Sequence, residues 1–96
     1  MGVIRSDSPR FRRRRFVTRS ARKEFAEVHA RDREHVLSRV GALADDPRPP
    51  GCEKLSLQDK YRVRQGDYWI VYTINETEVT VWVVKVGHRR DVYREP

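Results

Sequence analysis

The sequence predicts an α+β fold: two N-terminal helices packed on an antiparallel sheet of about four strands, in the order β-α-α-β-β-β. Three observations carry this prediction. Apolar residues recur at helical spacing between residues 20 and 45, alternating and β-branched runs fill residues 60 to 86, and the chain has 96 residues, room for one domain. With 38% hydrophobic and 36% charged residues, it has the makings of a small core under a heavily charged surface, above the apolar poverty of a disordered chain.

Residues 1–10 combine Gly, Ser, Asp and Pro without periodicity and are expected to form a disordered basic leader, with a single domain over 11–96. The run Arg15-Phe16-Val17-Thr18 predicts a first strand. Ser20 is the expected cap of a first helix, whose apolar face is Ala21, Phe25 and Val28. Asp32 is the expected cap of a second, in which Val36, Leu37, Val40, Leu43 and Ala44 make one stripe. Pro47 ends it, because proline restricts the residue before it and has no N–H to donate.

Residues 48–59 read as a connecting loop, punctuated by Pro49-Pro50-Gly51, with Leu55 and Leu57 as apolar anchors. Tyr61 and Val63 then alternate with Arg62 and Arg64, so a strand over 60–64 has one apolar and one basic face. Gln65-Gly66-Asp67 makes a turn, residues 68–74 a second strand, Asn75-Glu76-Thr77 another turn, and residues 79–86 a third strand. These three form a meander against which both helices bury their stripes.

Twenty-one basic against fourteen acidic side chains leave a net charge of +7, unevenly spread. Arg5, Arg10, Arg12, Arg13, Arg14 and Arg15 stand against Asp7 in the first sixteen residues. Such a potential draws phosphate backbones or an acidic partner. The arm has no apolar stripe of the kind a membrane-surface helix needs, and reads either as a solvated leader or as a direct contact to RNA or a partner. No apolar run approaches the roughly 18 residues of a membrane helix, and none follows the N-terminal arginines as a signal-peptide core. With Cys52 as the sole cysteine, an internal disulfide is excluded and a cytoplasmic protein is expected. Cys52 itself reads as a small buried apolar residue. His29, His35 and His88 lack metal-ligand spacing, and there is no Gly-rich phosphate loop or nucleophile elbow. No metal or cofactor is expected.

Three segments taken together are informative: Tyr61-Arg62-Val63-Arg64-Gln65-Gly66-Asp67-Tyr68, then Ile70-Val71-Tyr72, then Val86-Gly87-His88-Arg89-Arg90-Asp91-Val92-Tyr93. They follow a helix that ends in Asp-Pro-Arg before Gly51-Cys52-Glu53-Lys54-Leu55. In order and spacing the chain resembles the RelE branch of the RelE/ParE toxin superfamily over roughly residues 16–94. The resemblance implies the toxin of a type II toxin-antitoxin system, a ribosome-dependent endoribonuclease that cleaves mRNA in the A site and stops translation. It also implies the partners: a RelB-like antitoxin, the ribosome and mRNA, and operator DNA reached through the antitoxin.

Attack of a ribose 2′-OH on the adjacent phosphate needs a proton acceptor, a proton donor and positive charge on the developing phosphorane. Arg62 and Arg64, about 7 Å apart on one strand face, suit neighbouring phosphate oxygens, although charged residues on the wet side of a strand are ordinary. The resemblance implies catalytic roles for Arg64, Arg89 and Tyr93, and RNA contacts from Arg62, Lys54, Trp69, His88 and Arg90. Arg89 matches the C-terminal catalytic arginine, which the resemblance assigns to the scissile phosphate as charge stabiliser or as proton donor to the leaving 5′ oxygen; arginine is a poor acid, which favours stabilisation and leaves the donor role open. Tyr93 matches a tyrosine near the 2′-OH, as general base or stacking platform. A phenol becomes a base near neutrality only in a strongly cationic surround. An imidazole is chemically suited to either proton role, so His88 is a further candidate to assist.

One residue departs from the pattern. Where RelE-type toxins usually carry a further phosphate-clamping arginine, this chain has Trp69, which either stacks on a splayed base or packs in a core or interface, with Arg90 or Lys54 taking over the phosphate. The alternatives for the whole chain are a ParE-type inhibitor of DNA gyrase, or a catalytically weakened toxin acting mainly as an antitoxin partner.

Overall fold

A computed structural model describes residues 13–55 and 59–88. Its elements are β1 (Arg14–Val17), α1 (Arg19–Ala26), α2 (Ala30–Asp45), β2 (Glu53–Leu55), β3 (Lys60–Gln65), β4 (Tyr68–Asn75) and β5 (Thr80–His88). Both helices lie against one five-stranded sheet of order β1-β5-β4-β3-β2. The expected leader over 1–10 and the anchor Leu57 lie outside the described residues.

The α+β class and the meander β3-β4-β5 agree with the sequence reading, and two features of the sheet correct it. First, the sheet is mixed: β1 runs parallel to β5, with Phe16 opposite Trp82 and Val17 opposite Val83. Residue periodicity reports which face a side chain takes, not which way a strand runs. Second, Glu53–Leu55, expected in a loop, forms a fifth strand antiparallel to β3. Three residues are too few to display a period of two.

The helix caps also differ. Thr18, expected in the strand, caps α1 with its hydroxyl oxygen accepting from the Ala21 N–H at 3.2 Å, so Ser20 falls inside the first turn. His29 caps α2 through Nδ1, which accepts from the Arg31 N–H at 3.3 Å. Asp32 sits in that helix's first turn, where its charge complements the positive end of the helix dipole.

Gly66, at φ +63°, opens the two-residue loop between Gln65 and Tyr68, the backbone pattern that lets a tight hairpin follow strand twist. Val79, expected in the last strand, instead ends the next loop at φ +54°, a left-handed conformation unusual for a β-branched side chain. A bulge follows in β5, where the register steps from Val71–Lys85 to Tyr72–Val83 and leaves Val84 extra.

Ala21, Val36, Val40 and Leu43 from the helices and Val28 between them meet Val63, Ile70, Tyr72, Val81, Val83 and Val86 from the sheet in the main core. Cys52 is half-buried and packs at its edge. Leu37, expected in the stripe of α2, is 60% exposed. It lies about 100° round the helix from Val36, at the margin of the buried line. Tyr72 anchors the far end of the sheet: its hydroxyl donates to the Pro47 carbonyl at 2.6 Å, and burial pushes the phenol pKa well up.

Three of the six arginines assigned to an N-terminal arm belong to the folded domain. The Arg13 N–H donates to the Ala44 carbonyl at 2.8 Å, and its guanidinium pairs with Glu76 at 2.7 Å. Arg48 joins the same carboxylate at 3.1 Å and donates to the Tyr61 hydroxyl at 3.3 Å. Arg13 first, then Arg48, hold the Glu76 carboxyl below its usual range. Arg14 and Arg15 lie in β1, while Arg5, Arg10 and Arg12 fall outside the described residues.

Candidate functional site

The helices cover one face of the sheet, and the register decides what the other face holds. Residues opposite each other on neighbouring strands project to the same side. Arg62 pairs with Val71 and Arg64 with Trp69 across β3 and β4; Trp69 pairs with Gly87 of β5, and Glu53 of β2 with Arg62. Val63, Ile70 and Tyr72 alternate with these positions and lie in the main core, so the arginines and Trp69 share the helix-free face.

On that face Trp69 and Val71, each 5% exposed, form a second apolar cluster with Leu55 and Val84. The guanidinium carbon of Arg62 lies 4.5 Å from the centroid of the Trp69 ring. Its Nε and Nη2 both donate to Glu53 Oε1, at 2.9 and 2.8 Å. Arg62 is therefore held between an indole and a carboxylate. Arg64 is exposed, and its Nε donates to the Gly66 carbonyl at 2.7 Å, so the hairpin turn fixes its direction.

The chemistry of this arrangement suits an anion. An exposed carboxylate contributes little to stability, so an anion that displaces Glu53 from Arg62 does so at small cost while the indole keeps the planar fork oriented. Arg64 stands about 7 Å along the same strand. Guanidinium groups offer charge and directed donors rather than proton transfer.

The other expected contacts are placed differently. Lys54 pairs with Tyr61, which packs against the main core, so its register position is on the helix side. His88 pairs with Tyr68, another core-side residue, and the two rings meet edge to face at 5.6 Å. The Tyr68 hydroxyl in turn accepts from the His29 N–H at 3.2 Å, which ties this corner to the helix pair. A second tie runs from Glu24 of α1, which accepts from the Val86 N–H at 2.9 Å and pairs with Lys85 at 3.3 Å. Arg89, Arg90 and Tyr93 lie outside the described residues. Of the eight expected site residues, Arg62, Arg64 and Trp69 are brought together.

Glu53 was not anticipated as part of this face. Its pairing with Arg62 depends on β2, the strand that the sequence pattern is too short to reveal. Among the described residues no group of three or more His, Cys, Asp or Glu side chains is arranged to hold a metal ion, and no helix is long and apolar enough to cross a membrane.

Comparison with known proteins gives the same picture from three sides. The family model described as the ParE toxin of type II toxin-antitoxin system, parDE, matches residues 15–93. Toxin RelG of Mycobacterium tuberculosis (strain ATCC 25618 / H37Rv) is 30% identical over 82 residues, covering 83% of this chain and 93% of that protein. Among solved structures, the toxin-antitoxin complex RelBE2 from Mycobacterium tuberculosis aligns with a TM-score of 0.72 at 25% identity, over 80% of this chain and 98% of that one. The archaeal RelE-RelB complex from Pyrococcus horikoshii OT3 shares the fold at a TM-score of 0.73 and 23% identity, over 81% and 96% of the two chains.

Proposed function

This chain belongs to the ParE toxin family, within the RelE/ParE superfamily of type II toxin-antitoxin toxins, and from that premise we propose that it is a ribosome-dependent endoribonuclease that cleaves mRNA in the A site. The observation that carries the reading is the shared face of Arg62, Arg64 and Trp69, two phosphate-spaced guanidinium groups beside an indole on an open sheet.

In the proposed reaction a ribose 2′-OH gives up its proton and attacks the adjacent phosphorus. The P–O5′ bond breaks as the new bond forms, and the leaving 5′ oxygen takes a proton from solvent water or from the Arg89 guanidinium, producing a 2′,3′-cyclic phosphate and a new 5′-OH. Arg64 and Arg89 stabilise the phosphorane, Arg62 and Arg90 hold flanking phosphates, and Tyr93 accepts the 2′ proton within their cationic surround. Lys54 and His88 contact RNA from the rim of the sheet. With so few groups for proton transfer, the ribosome supplies substrate orientation. Trp69 in place of a clamping arginine removes one charge-assisted contact, worth about 2.7 to 4 kcal/mol by the measure of oxyanion-donor deletions, so the enzyme is slow.

The proposed partners are a RelB-like antitoxin, the ribosome and mRNA in the cytoplasm, and operator DNA through the antitoxin. Support for the antitoxin comes from the RelBE2 and RelE-RelB complexes that share this fold.

A second reading, a ParE-type inhibitor of DNA gyrase, is favoured by one observation: the matching family model is the ParE one. Induction without antitoxin, followed by primer extension on cellular mRNA, separates the two. Cuts inside codons on ribosomes, strongly reduced by Arg89→Ala and Tyr93→Phe, are expected. Intact mRNA with induced DNA damage overturns the nuclease reading in favour of gyrase.

A further inference from the structure

The helix-free face extends beyond Arg62 and Trp69 to a second group that the proposed chemistry does not use. Trp82 of β5 pairs with Thr73 of β4, which is on the same side of β4 as Trp69 and four residues from it, about 14 Å along the strand. On its other flank Trp82 pairs with Phe16 of β1, and their rings are stacked, with centroids 4.8 Å apart and planes 21° from parallel. The guanidinium carbon of Arg14 lies 5.4 Å from the Phe16 centroid. Unlike Trp69, Trp82 is 38% exposed.

The charge around this group is one-sided. β1, β3, β4 and β5 contain no Asp or Glu; on this face by register the charged strand residues are Arg14, Lys60, Arg62, Arg64 and Lys85 against Glu53 of β2, with Lys85 paired to Glu24 of α1. An open aromatic stack with a guanidinium beside it, on a sheet so poor in carboxylates, is what a single-stranded nucleic acid requires. The rings take the bases and the cations take the phosphates.

We propose that Arg14, Phe16 and Trp82 form a base-stacking site for single-stranded RNA, a second contact displaced from Trp69 by about 14 Å along the strands and by one to two strands across the sheet. It lets the toxin grip mRNA away from the scissile bond. It also offsets the clamp missing at Trp69 by adding affinity rather than transition-state charge. The inference rests on the proposed RNA substrate, but it concerns binding and is tested without cleavage.

The test is fluorescence anisotropy with a labelled single-stranded RNA decamer at low salt, free of ribosomes, with melting curves for each variant. Trp82→Leu keeps the apolar surface and removes the π-face, and should weaken binding roughly 5- to 100-fold. Trp82→Phe should restore most of it, and exposed Arg14→Gln should weaken it several-fold. The proposal is overturned if folded Trp82→Leu binds RNA as the wild type does, or if the wild type does not bind the decamer. It is equally overturned if Trp82→Leu loses antitoxin binding while keeping RNA, which would make this face a protein seat. Ribosomal cleavage by the same preparation reports separately on the nuclease reading. Cleavage with unaffected decamer binding removes the stacking site alone, whereas binding that depends on Trp82 without cleavage leaves the site standing.

Discussion

The guanidinium of Arg62 lies over the ring of Trp69 while Glu53 grips its outer edge, so one cation is held by an indole and a carboxylate at once. The indole does this from a nearly closed position, packed with Val71, Leu55 and Val84. Its replacement tests both roles. Trp69→Arg puts a guanidinium among apolar neighbours and next to Arg62, so the melting temperature should fall, by about 4 to 8 °C for each kcal/mol lost in a domain of this size. Ribosomal cleavage should not rise. Faster cleavage with unchanged melting would instead show that position 69 admits the missing arginine without unsettling its apolar neighbours.

Glu53→Gln is expected to act in the opposite direction on function. It leaves Arg62 stacked on Trp69 but removes the carboxylate that competes with phosphate, so affinity for single-stranded RNA should rise a few-fold. Thermal stability should hardly change, because the carboxylate is exposed. Anisotropy and a melting curve on this variant check both halves, and weaker RNA binding would mean that Glu53 positions Arg62 rather than competing for it.

Tyr72→Phe isolates the bond that fastens β4 to Pro47, two residues past the end of α2. Losing the hydroxyl leaves the Pro47 carbonyl without its donor, at a cost of about 1 to 3 kcal/mol, read by urea titration. Burial raises the phenol pKa, so Tyr72 stabilises the fold below the ordinary tyrosine value of about 10 and loses that contribution as pH climbs through the raised one. The wild type should therefore lose stability at alkaline pH more steeply than the Phe variant. Parallel alkaline profiles would show that Tyr72 does not couple folding to ionisation.

Glu76 gives the acid limb. Its carboxyl is held below the usual range by Arg13 and Arg48, so its contribution is present above about pH 4.5 and disappears as pH falls through the lowered value. Glu76→Gln should flatten the acid side of the stability profile and leave the neutral side nearly unchanged. A profile of unaltered slope between about pH 5 and 3 would exclude this carboxylate as a source of acid sensitivity.

The parts of this molecule legible in the sequence are those where one period dominates. The alternation of Tyr61, Arg62, Val63 and Arg64 correctly gives a strand with a core side and a cationic side, and the spacing of Val36, Val40 and Leu43 gives α2 its buried line. What stayed hidden depends on pairing between distant segments. The parallel alignment of Phe16 with Trp82 and the contact of Glu53 with Arg62 join positions whose register no local pattern records. The caps were misplaced for a local reason: Thr18 and His29 each accept a backbone N–H just before the residues that looked like better caps. That Arg62 and Arg64 share one strand face follows from alternation alone. That Lys54 and His88 belong to the opposite register side follows from Tyr61 and Tyr68, and so from the sheet as a whole.

The parallel seam between β1 and β5 has a kinetic consequence. Arg14 registers with Thr80 and Val17 with Val83, so the first strand waits for the last before it has anything to pair with. Until β5 is available, the apolar stripes of α1 and α2 lack Val81, Val83 and Val86 to close against. Contacts so distant in sequence slow the search for the native state, because loop closure must be met before the pairing rewards it. In a chain still emerging from the ribosome the core is therefore expected to close late, when β5 slots between β1 and β4.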